Sequence, residues 1–131
     1  YRQYFKPSVT LKQPYLMIGL PVLAADTDAQ AEHLATSTQQ RGLRLIRGQP
    51  IFTPPPVASM DKLWNAAERR LVEARLAAAV IGGPATVKRK LQEFLKLTQA
   101  NELILFSDFY RLEDRLRSYE IVAGLFLKPT T

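Results

Sequence analysis

The chain has 131 residues, the size of one ordinary domain, and 47% of them are hydrophobic, enough for a real core. It has no cysteine, which excludes disulfides and thiolate metal sites and points to a reducing, cytoplasmic location, and no apolar run approaches the roughly 18 residues of a membrane span. The net charge of +6 raises the question of nucleic acid, but Lys88-Arg89-Lys90 runs into Gln92 and Glu93, and Arg111, Arg115 and Arg117 alternate with Glu113, Asp114 and Glu120; mixed signs at helical spacing describe a solvated face, and neither nucleic acid nor membrane is expected as a partner.

The sequence opens at Tyr1 without a methionine and in mid-pattern, which predicts a piece of something longer. Tyr1 to Phe5 reads as the tail of a helix closed by Lys6-Pro7, because Pro7 disfavours the helical conformation for Lys6. After Pro14, the stretch from Tyr15 to Ala25 is apolar throughout, the pattern of a strand buried on both faces. Pro21 inside it cannot donate to a ladder, so an edge position or a bulge is expected there. A helix should start at Thr27, with Gln30 completing a capping box and Asp28 on the first turn, bury Ala31, Leu34, Ala35 and Thr38, and reach about Arg47.

Residues 49–64 form a Pro-rich insertion containing Pro50 and Pro54-Pro55-Pro56, unable to be helix or interior strand, with Met60, Leu63 and Trp64 as its anchors. Asn65 caps a second helix that should bury Leu71, Ala74, Leu76, Ala77 and Ala78. The stretch Ala79-Val80-Ile81-Gly82-Gly83-Pro84 then reads as a strand, a tight turn and a helix start, with Gly83 at the N-cap and Pro84 at the first helical position. Val87, Leu91, Phe94 and Leu95 mark the inner face of that helix, and Leu103 to Phe106 forms another apolar strand. Together these make a βαβ unit with parallel strands and a right-handed crossover. A last helix carries Leu112, Leu116, Tyr119, Ala123 and Phe126 on one face and ends at Lys128-Pro129. The strand-helix unit therefore recurs three times, at 15–47, 79–100 and 102–126.

Chemistry is sparse. His33 is the lone histidine and has no partner in sequence, so no metal site is expected. Gly82 and Gly83 at a helix N-terminus read either as a backbone cradle for a phosphate or as a plain tight turn. Asp26 and Asp108 each follow the last apolar residue of a strand, the end where parallel α/β folds build sites. Asp26 reads as part of the helix cap, and Asp108, beside Ser107, Phe109 and Tyr110, is the stronger candidate. Trp64 and the prolines read as loop anchors rather than pocket walls. No nucleophile-base or acid-base pair emerges from spacing.

Several segments jointly resemble one family. They are Phe5-Lys6-Pro7-Ser8, Pro14-Tyr15-Leu16-Met17, Ala24-Ala25-Asp26-Thr27-Asp28-Ala29, Thr36 to Gln40, Arg47-Gly48, Pro55-Pro56-Val57 with Met60-Asp61 and Trp64, Gly83-Pro84 with Thr86-Val87, Asn101-Glu102-Leu103, and Arg115 to Ile121. In this order they resemble the C-terminal part of the bacterial luciferase-like flavin-dependent monooxygenases, nearest the alkanal-monooxygenase-like branch. Ala85 stands where that family commonly has Glu.

The resemblance implies an α/β fold comprising the last three strand-helix units of a (β/α)8 TIM-type barrel, spanning residues 1–131, with parallel strands and the barrel incomplete. It implies reduced FMN, or a deazaflavin in other branches, acting with O2 and possibly on an aldehyde. It places Gly82, Gly83 and Asp108 at the barrel mouth as the cofactor-side candidates and carries over no catalytic residue, because most flavin contacts in the family come from earlier strands. Alone, such a piece is expected to be inactive, to hold FMN at most loosely, and to need the remaining N-terminal barrel strands or self-association. The rival reading is a non-enzymatic α/β module that self-associates through an exposed sheet edge.

Overall fold

The computed structural model describes residues 1–127. After a short 3-10 turn at Arg2–Tyr4, the elements are β1 (Met17–Ala24), α1 (Asp28–Ile46), α2 (Ala66–Arg75), β2 (Val80–Gly82), α3 (Pro84–Thr98), β3 (Glu102–Phe106) and α4 (Leu112–Phe126). The expected stop at Lys128-Pro129 lies outside the described residues. Local sequence signals account for the helix starts. The Thr27 hydroxyl accepts from the Gln30 N–H, Asn65 and Glu68 form a reciprocal capping box, and Gly83 is the N-cap of α3 with Pro84 behind it.

All three strands are parallel, in the order β2-β1-β3. β1 pairs with β3 from Met17↔Glu102 to Pro21↔Phe106, and with β2 from Val22↔Val80 to Ala24↔Gly82. Pro21 therefore sits in the central strand, not at an edge, but it falls where one ladder gives way to the other. The βαβ unit is present with parallel strands, yet β1 lies between β2 and β3. Consecutive barrel strands would be ordered β1-β2-β3 with every helix outside.

Here β2 and β3 flank β1, and helices pack on both faces of the sheet. Leu20, Val22, Ala24 and Val80 pack with Val87, Leu91 and Ile121, from α3 and α4. The intervening Leu23 and Ile81 point the other way and meet Leu34 and Ala35 of α1, with Phe109. A third cluster of Leu43, Met60 and Val72, flanked by Val57 and Trp64, ties the Pro-rich segment to α1 and α2 as expected of its anchors. Leu63 is exposed.

Two helix faces differ from expectation. α2 ends at Arg75 and buries Val72, while Leu71, Ala74, Ala77 and Ala78 are exposed and Leu76 is half-buried. In α4 the buried row is Ser118 and Ile121 with Val122 and Leu125, and the expected stripe of Leu112, Leu116, Tyr119 and Phe126 faces outward. Two apolar rows on one helix cannot both face the same sheet. The lower half of the opposite sheet face is open: Met17 is 48%, Ile104 51% and Phe106 50% exposed.

Candidate functional site

Parallel strands bring residues 24–26, 81–83 and 106–108 to one end of the sheet, the carboxyl end, but the structure gives the candidates there different surroundings. At the glycine turn, the Asp28 carboxylate accepts from the Gly83 N–H at 2.6 Å and from the Thr86 hydroxyl at 3.0 Å. Those hydrogen bonds hold the Asp28 carboxyl below its ordinary range, the Gly83 N–H first, then Thr86, with Lys90 and Arg89 adding to it. Gly82 has φ +158, and a Cβ there would lie 2.6 Å from Thr86 Cγ2 and 2.9 Å from Asp28 Oδ1. The turn at the start of α3 is thus built around an internal carboxylate, which stands where a phosphate oxygen would stand. In this arrangement the Gly83 N–H is engaged by the Asp28 carboxylate.

Asp108 lies in a separate cleft of about 630 Å³ between α1, the end of α2 and the start of α4. It forms an ion pair with Arg41, accepts a hydrogen bond from the Thr53 hydroxyl at 3.3 Å, and its backbone carbonyl accepts from Thr38 at 3.1 Å. Pro21, Leu23, Leu45, Ile51, Leu76 and Phe106 supply apolar wall, and Arg75, Arg115 and Tyr119 line the rest. Asp26 stays outside the cleft, exposed and paired with Arg117 at 2.7 Å.

Beneath the cleft, a hydroxyl network joins the ends of β1 and β3 to α4. Ser118 Oγ accepts from the Ala24 N–H at 3.0 Å and lies 3.3 Å from Ser107 Oγ. Ser107 donates its hydroxyl to the Val22 carbonyl, and its N–H donates to the Tyr119 hydroxyl at 3.1 Å. Where the ladder stops at Pro21, side chains take over the pairing of buried backbone groups. Spacing did not single out Arg41 or Ser118, and it placed Arg115 on a solvated face and Tyr119 on an apolar one rather than at a site; the available signal was a serine on the row of α4 that also carries Ile121 and Val122.

Among the described residues no group of three or more His, Asp or Glu could hold a metal, and no helix is long and apolar enough to cross a membrane. His33 is exposed on α1. The cleft combines apolar walls with the guanidinium groups of Arg41, Arg75 and Arg115, which come from α1, α2 and α4.

No protein-family model matches the chain. The chain is 45% identical to the uncharacterized protein YvbT of Bacillus subtilis over 126 residues, covering 96% of this chain and 38% of YvbT. It is 37% identical over 121 residues to a luciferase-like monooxygenase of Escherichia coli, covering 92% of this chain and 36% of that protein. The solved structure of apo-MsnO8 superimposes with a TM-score of 0.78 at 25% identity, over 99% of this chain and 40% of MsnO8. The chain thus spans less than two-fifths of the curated relatives it matches. Over nearly its whole length it is related in sequence to the luciferase-like monooxygenases.

Proposed function

We propose that this chain is the C-terminal part of a luciferase-like, flavin-dependent monooxygenase, which completes a (β/α)8 barrel together with strands that lie outside it. The observation that carries the reading is the 37% identity to the Escherichia coli luciferase-like monooxygenase across 92% of the chain. Barrel membership is carried over from the resemblance of the sequence segments and not from strand order, since β1 is central here. The open face bearing Met17, Ile104 and Phe106 supports it, because exposed apolar sheet surface of this kind calls for a covering layer. The free edge of β3 would take the next strand, and self-association is the substitute when none is present. A reducing cytoplasm suits a chain without cysteine.

When bound, reduced FMN supplies the electrons that activate O2, and an aldehyde is the proposed acceptor. This chain's part is to form one wall of the site. Leu23 and Phe106 would exclude water, the Arg41–Asp108 pair would fix the loop after β3, and Tyr119 with Ser107 would hold the strand end in place. Gly82 and Gly83 would keep the turn at the start of α3 closed around Asp28. A chimera tests the reading: this chain replaces the matched segment of the Escherichia coli relative. Flavin binding by both that relative and the folded chimera is the expected result. A folded chimera that binds no flavin while the relative does, or a relative that itself binds none, would overturn it.

A further inference from the structure

We infer that the free edge of β3 is a docking surface for a second copy of this chain, which lays its own β3 alongside, antiparallel, about a two-fold axis through Ile104. β3 ends the sheet, with β1 on one side and, among the described residues, no strand on the other, so a row of its backbone groups lacks a ladder. Neither face of the strand is well covered. Ile104 and Phe106 are half-exposed on the open face. Leu103 and Leu105, on the other face, line an apolar groove of about 420 Å³ with Val122 and Phe126 of α4. An edge that is apolar on both faces needs a layer that continues the sheet and the groove together, and another strand does both.

The charges select the arrangement. A two-fold axis makes the contact isologous and the strands antiparallel, so Ile104 meets the partner's Ile104, and Leu103 meets the partner's Leu105 over the groove. Glu102, the one charge on the strand, then faces the partner's Phe106. Glu102 lies on the same face as Ile104 and Phe106, because alternate strand residues share a face. On that face Phe106 and Arg115 line the cleft beside Asp108. Among the described residues no ion pair holds Glu102 or Arg115, and Arg115 Nε has no hydrogen-bond partner. The pairing brings this carboxylate toward this guanidinium at both ends of the interface. A parallel pairing in register would instead set Glu102 beside the partner's Glu102, which is repulsive. Pairing β3 with the β2 edge of the next copy would engage only the three residues Val80–Gly82 and would repeat without closing.

The inference deepens the self-association proposed above and is tested without flavin: a monomeric chain would leave the chimera test standing, and a failed chimera would leave the dimer standing. The test is sedimentation equilibrium of the chain over a range of concentrations. A reversible dimer of twice the 14.8 kDa chain mass is the expected result. Ile104→Lys places a charge at the two-fold axis on a side chain that is half-exposed in the lone chain, and should raise the dimer Kd by about tenfold or more with the circular dichroism of the fold unchanged. Glu102→Arg, which turns attraction to Arg115 into repulsion, should weaken the dimer in the same direction. The register is read by cross-linking, since the chain has no cysteine of its own. Directly opposed residues of antiparallel strands have Cα atoms about 4.5–5.5 Å apart, within disulfide reach, so Ile104→Cys should link to itself on oxidation while Leu97→Cys, exposed on α3, should not. A chain that stays monomeric, assembly that grows past the dimer, unchanged affinity in either folded variant, or an Ile104→Cys that links no faster than Leu97→Cys would each overturn the assignment.

Discussion

The Asp28 carboxylate accepts a hydrogen bond from the Gly83 N–H at 2.6 Å, joining two residues 55 apart in sequence and closing the start of α3 from inside the protein. An aspartate on the first turn of α1 therefore serves two helix N-termini at once, its own and that of α3. The turn that resembled a phosphate cradle is held by the protein's own anion.

Replacing Asp28 by Asn should lower the thermal midpoint, and the loss should depend on pH. The folded-state pKa is depressed from its ordinary 3.8, so the stabilisation is present above that value and disappears as pH falls through the lower, folded-state value. Melting curves followed by circular dichroism should show a wild-type advantage that is constant above about pH 5 and shrinks in stronger acid. An advantage that grows on acidification would contradict the clamp.

Gly82→Ala should be costly for two reasons. A Cβ would meet Thr86 Cγ2 at 2.6 Å, and φ +158 is strained for any side chain. Chemical denaturation should register a loss of about 1–3 kcal/mol. Gly124→Ala, in α4 with nothing within 4 Å of the added methyl, should be neutral or slightly stabilising.

Removal of the Ser118 hydroxyl leaves the buried Ala24 N–H without its acceptor, and Ser118→Ala should cost about 1–3 kcal/mol. Amide exchange at Ala24 should accelerate in the same variant. Unchanged exchange there would mean that the network does not hold the end of β1.

Leu91 is 1% exposed in the cluster between α3 and the sheet, whereas Leu97, on the same helix, is 84% exposed. Leu91→Ala should destabilise by about 2–5 kcal/mol and Leu97→Ala by well under 1 kcal/mol, as denaturant midpoints would report.

Helix starts are legible locally, although Thr27 and Gln30 form only half of the expected capping box. Thr27, Asn65 and the Gly83-Pro84 pair set helix starts because caps act within three or four residues. The buried face of α3 followed from Val87 and Leu91 for the same reason. Longer-range choices were not legible. Nothing in the spacing says that β1 rather than β2 should be central, since pairing depends on strands tens of residues apart. α4 offered two apolar rows, and only packing selects Ile121 and Val122 over Leu116 and Tyr119. At the candidate site, Asp108 was visible at a strand end, but its partner Arg41 is 67 residues away and Asp28's hold on Gly83 crosses 55.

The most direct test is gel filtration of the chain with FMN, in oxidised and reduced form, reading flavin absorbance and mass across the protein peak. A flavin-free peak at twice the 14.8 kDa chain mass or more is the expected result, with the open sheet face and the β3 edge covered by a second copy. A monomeric peak carrying near-equimolar flavin would contradict it, because the cofactor site would then lie within these residues and owe nothing to strands outside them.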